Sequence, residues 1–200
     1  MAAKGAADDM TLDTRGWLQG VSHVPSPNFD ARPVGMAVDL VVLHNINLPP
    51  GEFGSGDIAA FFTNRLDPRR HPFFETIHQV QVSAHFLVER SGTIVQFVSC
   101  DDRAWHAGAS DFFGRARCND FSIGIEIEGC DDRPFEPAQY RAVADLLAAL
   151  ARTYPLRAVA GHSDIAPGRK TDPGPYFDWP RLMRISGWPA ERFPYQRWGK

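Results

Sequence analysis

Apolar residues along the chain fall into short runs divided by Gly- and Pro-rich polar segments, and the period of each run predicts an element. VDLVVLHN (38–45) is a continuous β-branched run that ends in polar residues, the pattern of a buried strand. AHFLVER and TIVQFVS (84–99) flank a Ser-Gly pair and predict a hairpin. SIGIEIEG (122–129) alternates strictly, with Ile123, Ile125 and Ile127 on one face and Gly124, Glu126 and Glu128 on the other. RAVAGH (157–162) predicts a further strand ending at His162.

Helical spacing appears elsewhere. PAQYRAVADLLAALART (137–153) opens with Pro at a first helical position and sets Tyr140, Val143, Ala144, Leu147, Leu150 and Ala151 on one stripe. DIAAFFTNRL (57–66) and FDWPRLMRI (177–185) predict shorter helices. Strands interleaved with helices predict an α/β single domain with a central mixed β-sheet flanked by helices. Residues 1–15 read as a flexible N-terminal extension, 16–186 as the domain, and 187–200 as a C-terminal tail with no assignable element.

Composition narrows the classes. With 44% apolar and 22% charged residues and a net charge of −3, the 200-residue chain has no electrostatic reason to bind nucleic acid or an anionic membrane. No apolar run approaches the roughly 20 residues that span a bilayer. The amino-terminal stretch lacks an apolar signal region, so a cytoplasmic location is expected. Three cysteines, Cys100, Cys118 and Cys130, form no paired spacing and read as free thiols. A cysteine-containing zinc site stays open as an alternative.

GHSDIAPGRKTDPGP (161–175) sets His162, Lys170 and Asp172 in a segment stiffened by Gly and Pro. A catalytic zinc takes three protein ligands and keeps a fourth position open. His44 and His162 stand where two strand runs stop; if those strands are neighbours, both imidazoles converge at one edge of the sheet. Asp172 can then return as an oxygen ligand, with Lys170 beside it. His85 and His106 read as structural or substrate-side groups, and His23, His71 and His78 give no signal. Glu126 and Glu128 lie about 7 Å apart on one strand face. They read as a solvated face, as a general base with a raised pKa, or as the carboxylate pair of a glycosidase.

VVLHNINLPPGEFG, HPFF, VSAHFLVERSGTIVQFV, RAWHAG, RCNDFSIGIEIEG and GHSDIAPGRKTDPGPYFDW, in this order from about Trp17 to Trp179, together closely resemble the 1,6-anhydro-N-acetylmuramoyl-L-alanine amidases of the AmpD type. This resemblance implies the mixed-sheet fold of the zinc amidases related to peptidoglycan recognition proteins. It implies Zn2+ on His44, His162 and Asp172, an acid/base at Glu126 and an oxyanion-stabilising Lys170. Asn45, Trp105 and Arg117 match positions lining the substrate groove. Phe73 replaces an expected tyrosine, and Gln81 an arginine that helps hold a peptide carboxylate. The implied activity is hydrolysis of the amide between the lactyl group of (1,6-anhydro-)N-acetylmuramic acid and L-alanine, in cell-wall recycling. The implied partner is a small muropeptide, with no obligate protein partner. A fold-related module that binds peptidoglycan without cutting it is the rival reading, as is the glycosidase. The Gly-rich loop 48–56 reads either as a lid or as a static segment.

Overall fold

The structure, a computed structural model, describes residues 10–196. In chain order its strands are β1 (Ser22–His23), β2 (Phe29–Ala31), β3 (Leu40–Ile46), β4 (Phe86–Val88), β5 (Ile94–Gln96), β6 (Asp102–Ala104), β7 (Asp111–Phe112), β8 (Arg115–Ala116), β9 (Ser122–Glu128) and β10 (Ala158–Gly161). The helices are α1 (Asp57–Phe62), α2 (Pro72–Ile77), α3 (Pro137–Ala151), α4 (His162–Ile165) and α5 (Trp179–Ser186). Six strands form one mixed sheet in the order β1-β5-β4-β9-β3-β10. The four strands from β4 to β10 run parallel, whereas β5 is antiparallel to β4, as the Ser-Gly hairpin signal predicts. Two small ribbons, β2–β6 and β7–β8, lie outside the sheet.

Period-2 alternation decides which residues face which layer. Val41 and Leu43 of β3, with Ile123, Ile125 and Ile127 of β9, join α3 and α5 in the principal core. Leu40, Val42 and His44, with Ser122, Gly124, Glu126 and Glu128, take the other face. All seven residues of β9 are buried, so the solvated-face reading of its glutamates is corrected: loops and other strands cover that side.

Helix α3 is set by its amino terminus. The Glu136 N–H donates to Gln139 Oε1, and Gln139 Nε2 donates to the carbonyls of Val88 and Glu128. This side chain thus ties the helix start to the ends of β4 and β9. The predicted apolar stripe is buried except for Ala151, which is exposed beyond the last core turn.

Packing extends beyond the expected boundaries at both ends. Met10 and Leu12 pack on the principal core, and Arg15 O accepts from Ser99 Oγ. Past residue 186, Phe193 is fully buried, Tyr195 stacks on Phe113 with ring centroids 4.7 Å apart, and Gln196 Nε2 donates to Asp164. The remaining terminal residues of the expected extension and tail lie outside the described residues. Among the described residues, no helix is long and apolar enough to cross a membrane.

Candidate metal centre and active-site cleft

The site lies at the carboxyl ends of parallel strands, where open α/β sheets commonly bind ligands. β10 and β3 are neighbours in register, Gly161 beside Leu43, so His162 emerges level with His44. The condition for the two imidazoles to converge, that these strands be neighbours, is met. His44 Nδ1, His162 Nδ1 and Asp172 Oδ2 form a triangle with every edge 3.0 Å. A point about 2.0–2.1 Å from all three atoms, the reach of zinc–nitrogen and zinc–oxygen bonds, exists on the axis of such a triangle. The three residues are the His/Cys/Asp/Glu group among the described residues that can hold a metal ion.

Hydrogen bonds on the far sides of the rings favour the same use. His162 Nε2 is 3.0 Å from the carbonyl oxygen of Ala107, an acceptor only, and 3.4 Å from Arg169 Nη2; the shorter contact puts a proton on Nε2 and leaves Nδ1 to face the ion. His44 Nε2 is 2.9 Å from His106 Nδ1, whose other nitrogen is 3.2 Å from Ser122 Oγ. Burial pushes the His44 imidazole down to about 4, against the pull of Asp172, so it is neutral near pH 7. Burial works against ionisation of Asp172, but the two imidazoles against its carboxylate, His162 and His44, outweigh it and hold the carboxyl well below the usual range. Two imidazole nitrogens and one carboxylate oxygen are a chemically suitable donor set for zinc.

Glu126 stands directly beside His44 in the β3–β9 register. Its Oε2 is buried and has no hydrogen-bond partner among the described residues. Burial, then repulsion from Asp172, pushes its carboxyl well above the ordinary glutamate value, while Lys170 draws it back. Glu128, two residues on, has another task. Its two oxygens accept from the N–H groups of Gly54 at 2.6 Å and Arg90 at 3.0 Å. A carboxylate committed to two backbone donors is not half of a catalytic pair, so the glycosidase reading loses its second member.

The same contact bears on the loop 48–56. Besides Glu128, the loop is tied through Gly51 N–H to Asn47 Oδ1 at 2.6 Å and through Ser55 Oγ to Leu48 O at 2.6 Å. The guanidinium of Arg90 lies 4.8 Å from the Phe53 ring centroid, a cation–π contact. These ties favour the static segment over the lid.

A cleft of about 310 Å³ surrounds the triangle. Its polar side holds Glu126 and Lys170, and its apolar wall includes Phe61, Val80 and Trp105. A second cavity of about 390 Å³ adjoins it across Trp105, His106 and Lys170, and is lined in part by Gln81 and Arg169. A larger cavity of about 490 Å³ lies elsewhere, between β5 and α3, and has no His, Cys or Glu in its lining. Chemistry, not size, locates the site.

Of the other sequence-predicted residues, Trp105 and Asn45 line the cleft. Asn45 is also a brace: its Nδ2 donates to Asp131 Oδ1 at 2.7 Å and to Pro173 O at 3.1 Å, next to Asp172. Arg117 lies outside the residues lining either cavity. It is an exposed residue with φ 63° that pairs with Asp120 at 3.2 Å. Phe73 is exposed on α2 and lines neither cavity. Cys100, Cys118 and Cys130 are free thiols, and none lines the cleft, so the cysteine-containing metal site is not formed. Sequence reasoning passed over Asp131 and Arg32. Arg32 spends its guanidinium on the carbonyls of Cys100, Asn119, Asp120 and Ser122, contacts no local motif could reveal.

Fold and site together define a mixed α/β domain with a side-chain group at the sheet's carboxyl edge that could hold a metal ion. The comparisons with known proteins give the family. Residues 34–175 match the family model described as N-acetylmuramoyl-L-alanine amidase, and the chain belongs to that family of amide hydrolases. It is 55% identical over 170 residues to the 1,6-anhydro-N-acetylmuramyl-L-alanine amidase AmpD of Escherichia coli (strain K12), a match covering 84% of this chain and 93% of the relative. The crystal structure of a selenomethionine AmpD derivative superposes with a TM-score of 0.84 at 52% identity, covering 88% of this chain and 99% of the other. A peptidoglycan recognition protein, Drosophila PGRP-LB, shares the fold at a TM-score of 0.55 and 18% identity, covering 84% of this chain and 89% of its own.

Proposed function

We propose that this amidase uses zinc, held by His44, His162 and Asp172, to hydrolyse the amide between the lactyl group of 1,6-anhydro-N-acetylmuramic acid and L-alanine in small muropeptides. The anhydro sugar is the one named for the Escherichia coli relative. The observation that carries the reading is the unpartnered Oε2 of Glu126, buried beside the donor triangle. A buried carboxylate oxygen without a partner is costly to keep unless a reacting group meets it.

When bound, zinc supplies Lewis acidity, acidifying water and polarising a carbonyl. Glu126 takes a proton from the attacking water and returns it to the departing alanine nitrogen, which cannot leave as an amide anion. Its raised pKa suits both halves of that transfer. Lys170 faces the carbonyl oxygen as negative charge develops there. Phe61, Val80 and Trp105 shield the reacting amide from bulk water, and Asn45 holds the Asp172–Pro173 segment against Asp131. The three free thiols suit a reducing cytoplasm and recycled wall fragments as substrate.

Zinc-loaded protein is incubated with an anhydro-muropeptide and with insoluble wall, and the products are identified by mass. Free anhydro-sugar and free peptide, abolished by a chelator and restored by zinc, are expected. Cleavage of a glycosidic bond, or binding without cleavage, overturns the reading.

A further inference from the structure

The segment that follows β6 crosses beneath both histidines of the donor triangle. His106 Nδ1 lies 2.9 Å from His44 Nε2, and the next carbonyl, Ala107 O, lies 3.0 Å from His162 Nε2. Two consecutive residues therefore back two side chains that are far apart in sequence. Asn119 holds the pair in place, for its Oδ1 accepts from both backbone N–H groups, His106 at 3.2 Å and Ala107 at 2.8 Å. Room for the His106 ring comes from Gly124, where an added Cβ would stand 2.4 Å from His106 Cγ.

We infer that the dipeptide His106–Ala107 is the positioning element of the metal centre, fixing the tautomer of both histidine ligands so that each turns an unprotonated Nδ1 to the ion. Ligating histidines commonly give their second N–H to a carboxylate, a carbonyl or water. Here one partner is a carbonyl and the other a neutral ring, which makes His106 the side chain that decides how His44 is used. His44 Nε2–H donates to His106 Nδ1, and His106 Nε2–H donates on to Ser122 Oγ, 3.2 Å away. Removing the acceptor lets the His44 proton move to Nδ1, where it competes with the ion. His106 is thus a positioning residue that meets His44 directly and acts on the reaction through it.

This inference rests on the proposed zinc centre, and the experiment separates the two. Zinc affinity is measured by chelator competition for the wild type and for His44→Ala, His106→Leu and His106→Asn, with circular dichroism to check folding. Asn places an acceptor close to where Nδ1 stood, and Leu does not. His106→Leu is expected to bind zinc 10–100-fold more weakly, and His106→Asn within about threefold of the wild type. Equal affinity for His106→Leu and wild type overturns the inference, and so does equal loss in both His106 variants, which would make the ring mere packing. Wild type binding no better than His44→Ala overturns the zinc centre itself. Nitrogen-15 NMR of the zinc-loaded wild type needs no variant: a proton on His44 Nε2, coupled across the hydrogen bond to His106 Nδ1, is expected. A proton resident on His106 Nδ1 overturns the assignment.

Discussion

Glu126 lies directly across the β3–β9 strand pair from His44, on the same face of the sheet, with one carboxylate oxygen left unpartnered among the described residues. One interstrand register therefore sets the distance from the proposed base to the proposed metal ligand. Replacing Glu126 by Gln keeps the shape and removes the base. Turnover is expected to fall roughly 10²–10⁴-fold, while zinc content, read by atomic absorption, stays at the wild-type level. Joint loss of metal and activity would make Glu126 a ligand instead.

Lys170 borders both cavities at the mouth of the site. If it stabilises the oxyanion, Lys170→Ala lowers kcat by about 10²–10³-fold with a small change in KM. Steady-state kinetics on an anhydro-muropeptide decide this, and a wild-type kcat removes the lysine from the scheme.

His85 is wholly buried and accepts from Gly124 N–H at 3.0 Å, while its Nε2–H reaches Asp102 O at 3.1 Å. Burial, reinforced by Arg32, pushes its pKa from 6.5 down to about 3. The unfolded chain therefore takes up this proton before the folded one. The stability it contributes is complete above pH 6.5 and is lost as pH falls toward 3, a difference of several kcal/mol. Glu126, raised by burial, acts with the opposite sign above its unfolded value of 4.5. Urea unfolding between pH 7 and 4, comparing wild type with His85→Gln, isolates the histidine: the variant is expected to show the shallower loss on acidification.

Phe193 is fully buried in the principal core, at the end of a segment with no periodic pattern. Phe193→Ala is expected to cost roughly 3–5 kcal/mol, the usual range for a large aromatic removed from a core. Denaturant midpoints at constant slope measure it, and a change within error would mean that the segment is dispensable.

Glu128 fastens the loop 48–56 through Gly54 N–H. In Glu128→Gln the amide presents an N–H to one of two backbone donors and leaves that donor unsatisfied, at about 1–3 kcal/mol. Limited proteolysis is expected to nick the variant within the loop and spare the wild type, with or without bound product. Protection of the wild-type loop only by product would restore the lid.

What was legible in the sequence was local or periodic. The β-branched run before His44, the alternation around Glu126 and the Pro-led stripe of α3 each produced the element they predict. His44, His162 and Asp172 could be named because two strand ends and a stiff loop limit where a side chain can go. Other features depend on partners remote in the chain. The latch on loop 48–56 is Glu128, the seat of the His106 ring is the missing side chain of Gly124, and Phe193, which meets Trp179 with ring centroids 6.3 Å apart, stands in a segment with no period to reveal its burial. Helix α2 escaped notice because six residues hold too few turns to show a stripe.

Because β10 is an edge strand of the sheet and supplies the level from which His162 and then Asp172 depart, the centre closes only once that strand has joined β3. Gln196, past the last helix, reaches back to Asp164 on the helix that His162 begins. A nascent chain therefore carries His44 and Glu126 without their companions until residues 158–172 have emerged, and a change at Gln196 would disturb a prop of the hydrolytic apparatus.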